Sequence, residues 1–118
     1  MIYNYTPHTV TVLNNDFEVL KEYLSNGVAR VLMSDSYYTD PLIDEDGTQI
    51  PVEVKGEVSG ITGLPSALYS EDNAFIVSRV VRDAALEIGH PFRDRLFVPN
   101  GLVRDTNGTV IGCQSFGI

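Results

Sequence analysis

Six arginines and a few aromatic and amide side chains are the residues of this chain best equipped to hold a ligand. Arg79, Arg82, Arg93, Arg95 and Arg104 crowd the last third with no lysine among them, and Arg30 stands alone in an apolar run. A guanidinium is a rigid planar fork of donors that matches phosphate and carboxylate oxygens and stacks on aromatic faces. The whole chain carries a formal net charge of -8. Long nucleic acids demand a basic surface, so this cluster is not their footprint. It predicts a small, enclosed anion site for a compact phosphorylated ligand.

The individual positions sharpen that expectation. Arg79 and Arg82, spaced i and i+3, project together from a helix. Arg79 falls in the first turn, where a cation opposes the helix dipole, which calls for a ligand phosphate or an acid of a partner chain nearby. The alternative is local pairing with Asp83 and Glu87. Arg30 is expected to contact phosphate, because an unpaired buried charge is expensive. Phe92, Phe97 and Phe116 offer faces on which a base can stack, with core packing as the alternative. Asn100, between Pro99 and Gly101, is expected in a turn, its amide offering a donor and an acceptor to an adenine edge or ribose hydroxyls. Arg104 is placed to reach a pyrophosphate.

Other chemistry finds little support. Asp44, Glu45 and Asp46 lack the spaced oxygen ligands of a calcium loop. His8 and His90 are far apart, with no cysteine or histidine companion, and make a poor metal set. Ser78 and Ser115 lack the Gly-x-Ser-x-Gly turn of a hydrolase nucleophile. Glycines 56, 60 and 63 do not open a helix after a strand, so no phosphate loop or dinucleotide fingerprint is present. The chain reads as a non-enzyme with no cofactor and no metal.

The elements that must position these residues follow from periodicity. Thr9–Leu13 alternates as a strand, Asn14-Asn15-Asp16 turns, and residues 17–23 return as a strand, with one helical turn through Glu18, Lys21 and Glu22 as the alternative. Asn26-Gly27 turns again before an apolar strand at Val28–Met33. Ser34–Gly47 reads as a polar, acidic loop, and Ile50–Val58 as a half-buried strand. Phe75-Ile76-Val77 is a short β run. Val77, Val80, Val81, Ala84, Ala85 and Ile88 then mark one amphipathic helix, capped by Ser78 and closed by Gly89 and Pro91. Leu96-Phe97-Val98 is a strand, Pro99-Asn100-Gly101 a turn, and Leu102–Ile111 a hairpin whose Asn107-Gly108 suits a type I′ turn. The sum is an α+β domain spanning 1–118: a mostly antiparallel sheet with one main helix packed on it.

Bulk properties set the compartment. A chain of 118 residues with 43% hydrophobic residues is one folded domain. The single cysteine, Cys113, excludes an intrachain disulfide and reads as a small buried apolar residue. No apolar run is long enough for a membrane span, and the start shows no secretion signal. The expectation is a cytoplasmic protein that contacts neither membrane nor long nucleic acid.

The ordered blocks carry a resemblance. Tyr5-Thr6-Pro7-His8 resembles the Leu-Thr-Pro-His opening of small phage and prophage proteins. The match continues through Gly27–Val31, Gly56-Glu57-Val58 with Gly63-Leu64-Pro65, and Phe75–Ser78. It ends with Arg93–Asn100 and Val110–Phe116. Together these blocks span nearly the whole chain and resemble the Thoeris anti-defence protein 1 family of phage-encoded sponges. The resemblance implies a protein that binds, without cleaving it, the cyclic ADP-ribose isomer made by bacterial TIR-domain defence proteins. It also implies a cytoplasm that is the infected host's, cyclic oligonucleotides as further ligands, and a homodimer or trimer of dimers. It adds the C-terminal strand, Gln114, Ser115 and Phe116, to Arg30, Arg79, Arg82, Phe92, Asn100 and Arg104 as ligand contacts. The alternatives are a structural or accessory protein of the phage particle and a small nucleotide-hydrolysing enzyme.

Overall fold

The computed structural model describes residues 1–118. The chain opens with β1 (Ile2–Asn4) and the hairpin β2 (Val10–Leu13) and β3 (Val19–Tyr23). β4 (Arg30–Met33) and β5 (Tyr37–Ile43) run out, and β6 (Gln49–Val54) and β7 (Val58–Thr62) run back. A 3-10 turn at Ser66–Leu68 leads into β8 (Ala74–Ile76), the helix α1 (Arg79–Ile88), a second 3-10 turn at Arg93–Arg95, and the long hairpin β9 (Leu96–Arg104) and β10 (Val110–Gly117). No helix is long and apolar enough to cross a membrane.

Six strands form one sheet in the order β1-β8-β9-β10-β2-β3. The chain is α+β as expected, but this sheet is mixed rather than mostly antiparallel. β1/β8, β8/β9 and β10/β2 pair in parallel, and only β9/β10 and β2/β3 are antiparallel. α1 is the reason for one parallel pair: it carries the chain from the end of β8 back to the start of β9, the crossover that parallel neighbours require.

Three local expectations change. The Ser34–Gly47 segment is not a loop throughout, because Tyr37–Ile43 form β5, whose Tyr37, Tyr38 and Thr39 pair with Val54, Glu53 and Val52 of β6. Pro41 is accommodated where the register shifts between Thr39 and Leu42, a place where a missing N–H costs no ladder bond. The Ile50–Val58 strand breaks in two at Gly56, whose Cα lies so close to Ser34 that a Cβ there would collide with the Ser34 carbonyl. Finally, Pro99-Asn100-Gly101 is no turn. β9 runs straight through it, with Pro99 opposite Phe116 and Asn100 opposite Ser115.

The hairpin tips share one construction. At Asn14, Asp44 and Asp105 the backbone N–H donates to the carbonyl four residues on, at 2.9 Å each time. The residue three places on donates back at 3.0 Å and has positive φ: Phe17 at 62°, Gly47 at 87° and Gly108 at 83°. Asn107 does not have positive φ, so the 107–108 tip is not the expected type I′ turn, which needs two such residues.

The sheet separates two apolar clusters. Phe75, Val77, Leu96 and Val98 face α1, where Val81 and Ala85 meet them with Tyr5, Ala29 and Phe92. Ile76, Val10 and Cys113 pack on the other side, beneath Val12, Tyr23 and Phe116. α1 is fixed at both ends. The Ser78 hydroxyl accepts from the Val81 N–H at 3.4 Å, and Gly89, in the left-handed region, lets the His90 N–H reach the Ala85 carbonyl at 2.9 Å. Val80 is 68% exposed, so the expected apolar stripe of the helix is narrower than its spacing suggested. Val81, Ala84 and Ala85 are used up by the chain's own core.

Candidate functional site

The arginines do not gather around one cavity of the chain. Arg30 and Arg79 are exposed. The premise of a buried lone charge therefore fails for Arg30: it stands at the start of β4, opposite Thr62, and only its neighbour Val31 packs against the core. The other arginine hydrogen bonds end on backbone carbonyls. Arg82 Nε donates to Leu96 O at 3.3 Å rather than to Asp83 or Glu87, and Arg95 Nε to Asn73 O at 2.7 Å. Arg93 Nη1 donates to the Gly89 and His90 carbonyls, and Arg104 Nη1 to Gly108 O at 2.8 Å. These side chains clamp turns.

Phe92 is not a stacking platform for a base. It is 3% exposed and lies between the rings of Tyr69 and Phe75, with centroids 4.8 and 5.0 Å away. Phe116 is partly buried against Tyr23 at 6.0 Å. Asn100 and Ser115 do come together: Asn100 Nδ2 donates to Ser115 Oγ at 2.9 Å across the β9/β10 pair. Gln114 Nε2 reaches Asn14 O at 3.3 Å, tying β10 to the β2/β3 tip.

The β9/β10 hairpin that carries these residues borders two concavities. One, of about 570 Å³, is lined by Thr11, Leu13, Phe17, Val19, Glu22, Val103, Arg104 and Ile111. Arg104 is the one residue of the expected set that lines it. Phe17 went unnoticed in the sequence, although a bulky residue where the other tips use glycine is a visible signal. An aromatic residue at φ 62° is strained.

The other cavity, of about 350 Å³, is built by three stretches far apart in sequence: residues 6–11, the β8/α1 junction at Val77-Ser78, and the β9/β10 hairpin. Val10, Val77, Leu102, Ile111 and Cys113 make its apolar wall. Thr6, Thr9, Thr11, Ser78 and His8 bring hydroxyls and an imidazole. No carboxylate lines it, in a chain with sixteen of them. Ser78 places the N-terminus of α1 at this wall, and the first amides of a helix lack intrahelical partners and carry partial positive charge. Burial pushes the Cys113 thiol up, so it stays protonated and apolar.

Asn4 holds the cavity's first stretch in place. It is fully buried, and its Nδ2 donates to the carbonyls of His8 at 2.7 Å and Tyr23 at 2.8 Å. Its Oδ1 accepts from the Thr6 N–H at 2.9 Å and the Thr6 hydroxyl at 2.6 Å. Every polar atom of this one side chain is used, which folds residues 4–8 into a fixed bend over the sheet.

Comparison with protein-family models, with curated proteins and with solved structures finds no match.

Proposed function

We propose that this protein is a sponge: it binds a small cyclic nucleotide signal, a cyclic ADP-ribose isomer, and holds it intact. The observation that carries the reading is the 350 Å³ cavity, whose lining is free of carboxylates and opens at a helix N-terminus. An anionic ligand gains there from the helix dipole and free amides, while its base takes the apolar wall of Val10, Leu102 and Ile111. The blocks that carry the family resemblance support it too. Thr6-Pro7-His8, Val77-Ser78, Pro99 and Val110–Cys113 are dispersed along the chain yet border this one space.

A sponge acts by mass action, so it must bind tightly; nanomolar affinity corresponds to about -12 kcal/mol. The setting is the cytoplasm of an infected bacterium, and the homodimer or trimer of dimers that the resemblance implies belongs to the same reading. Cyclic oligonucleotides are candidates for the larger concavity beside Arg104 and Phe17.

The test is to incubate the protein with cyclic ADP-ribose isomers, remove free ligand, and heat-denature the protein. Recovery of intact ligand is expected. Recovery of a cleaved product would make the protein an enzyme, and failure to deplete the ligand would leave a structural or accessory role in the phage particle.

A further inference from the structure

The β5/β6 ribbon has nothing beneath it. It is a separate two-stranded sheet, and every residue of β5 is exposed. Tyr37, Tyr38, Leu42, Ile43 and Ile50 are between 46% and 71% exposed. A lone two-stranded hairpin is marginally stable at best in water. This one is nonetheless well registered, with its tip bonded through Asp44, Asp46 and Thr48 and its base pinned where Ser34 and Glu57 exchange two 2.8 Å hydrogen bonds.

The dimensions of the whole chain say the same. It measures 60 × 41 × 20 Å with a radius of gyration of 19.0 Å. A compact chain of 118 residues has a radius of ~13.5 Å. Its accessible surface is 7997 Å², where ~6,300 Å² is usual for a folded monomer of 13.0 kDa. The excess, roughly 1,700 Å² per chain, is the amount each partner of a large obligate homodimer removes from water.

We infer that the ribbon of residues 37–54 is an arm that seats on the body of a second copy of this chain. Two observations select that occupant. The excess surface matches what one subunit of such a dimer buries, and a second copy is present wherever the chain is made. Charge fixes the orientation. The arm carries Asp40, Asp44, Glu45, Asp46 and Glu53 and no basic residue, whereas all eight basic residues lie outside it. Arm against arm would place carboxylates together; arm against body places them near arginines. Reciprocal arm-on-body contact closes as a two-fold dimer. The apolar face of α1 is not available for such contact, because Val81, Ala84 and Ala85 are buried in the chain's own core.

The dimer itself belongs to the reading above; the arm's place in it is the inference, and it is tested without ligand. Sedimentation of the full chain at micromolar concentration should give a dimer or a multiple of it, and the double variant Leu42→Asp, Ile50→Asp should give a folded monomer of half the dimer's mass. A wild-type monomer, or a dimer undisturbed by the double variant, would overturn it. Hydrogen exchange on the wild type covers the case in which the variant does not fold. Amides of residues 37–54 should be protected and should lose that protection on dilution. Unprotected arm amides at high concentration would equally overturn the proposal.

Discussion

Single side chains decide more here than their exposure suggests. Asn4 bonds His8 O, Tyr23 O and both donors of Thr6. Asn4→Ala should cost about 2–4 kcal/mol in urea denaturation, because it leaves two partly buried carbonyls and an amide without partners. Phe17 is the opposite case. Its φ of 62° suits glycine, so Phe17→Gly should raise stability by about 1 kcal/mol, read as a higher Tm. A fall in Tm would mean that the packing of the exposed ring outweighs the strain at its Cα. Phe92, stacked between Tyr69 and Phe75, should behave as core: Phe92→Ala should lose about 3–5 kcal/mol, visible as a shifted denaturation midpoint, rather than leave a folded protein with weakened ligand binding.

At the scale of elements, the turn after α1 carries a pH dependence. His90 Nδ1 accepts the Phe92 N–H at 3.1 Å, which requires the neutral ring with its proton on Nε2. Burial pushes the His90 pKa below its ordinary 6.5. The unfolded chain therefore takes up the proton first. The stability this interaction contributes is complete above pH 6.5 and is lost as acidity passes through the lower folded value. Melting curves between pH 7.5 and pH 5 should show that step, and His90→Asn, whose amide oxygen can accept the same N–H without titrating, should flatten it. The helix that ends there was the most readable element in the sequence. Ser78, the valine–alanine spacing and Gly89 are all local signals, and local chemistry decides where a helix starts and stops. The β9 strand was not readable in the same way. Pro99-Asn100-Gly101 has turn chemistry, and only its pairing with Ser115 and Phe116, fifteen to seventeen residues away, keeps it extended. The site fared likewise. The Thr6-Pro7-His8 segment and Ser78 were visible, but their meeting with Val110–Cys113 depends on two parallel strand pairings that no periodicity reports. The arginines misled because charge says nothing about which carbonyl lies in reach.

For the molecule as a whole, the cavity wall is the quantity to perturb. Leu102→Asp puts a carboxylate at the wall of the 350 Å³ space, whose lining has none, from a half-exposed position, so the fold should stand. Depletion of the cyclic ADP-ribose isomer should fall by about tenfold or more, since like charge beside the phosphates and the lost apolar contact are together worth ~1.5–3 kcal/mol. Undiminished depletion by the folded variant would move the ligand to the Arg104 side. The parallel pairing of β2 with β10, at Val12 and Cys113, has one more result. A ribosome adding about 5–20 residues per second takes roughly 5–20 s to go from the first of these positions to the second. Throughout that interval β2 has no neighbour on one side, and Val10 and Leu13, buried in the finished fold, stay without that cover. The 350 Å³ cavity cannot exist either, because one wall is not yet synthesised. On the proposed reading, capture of a signal would begin only once residues 110–113 have emerged, and a nascent chain would titrate nothing.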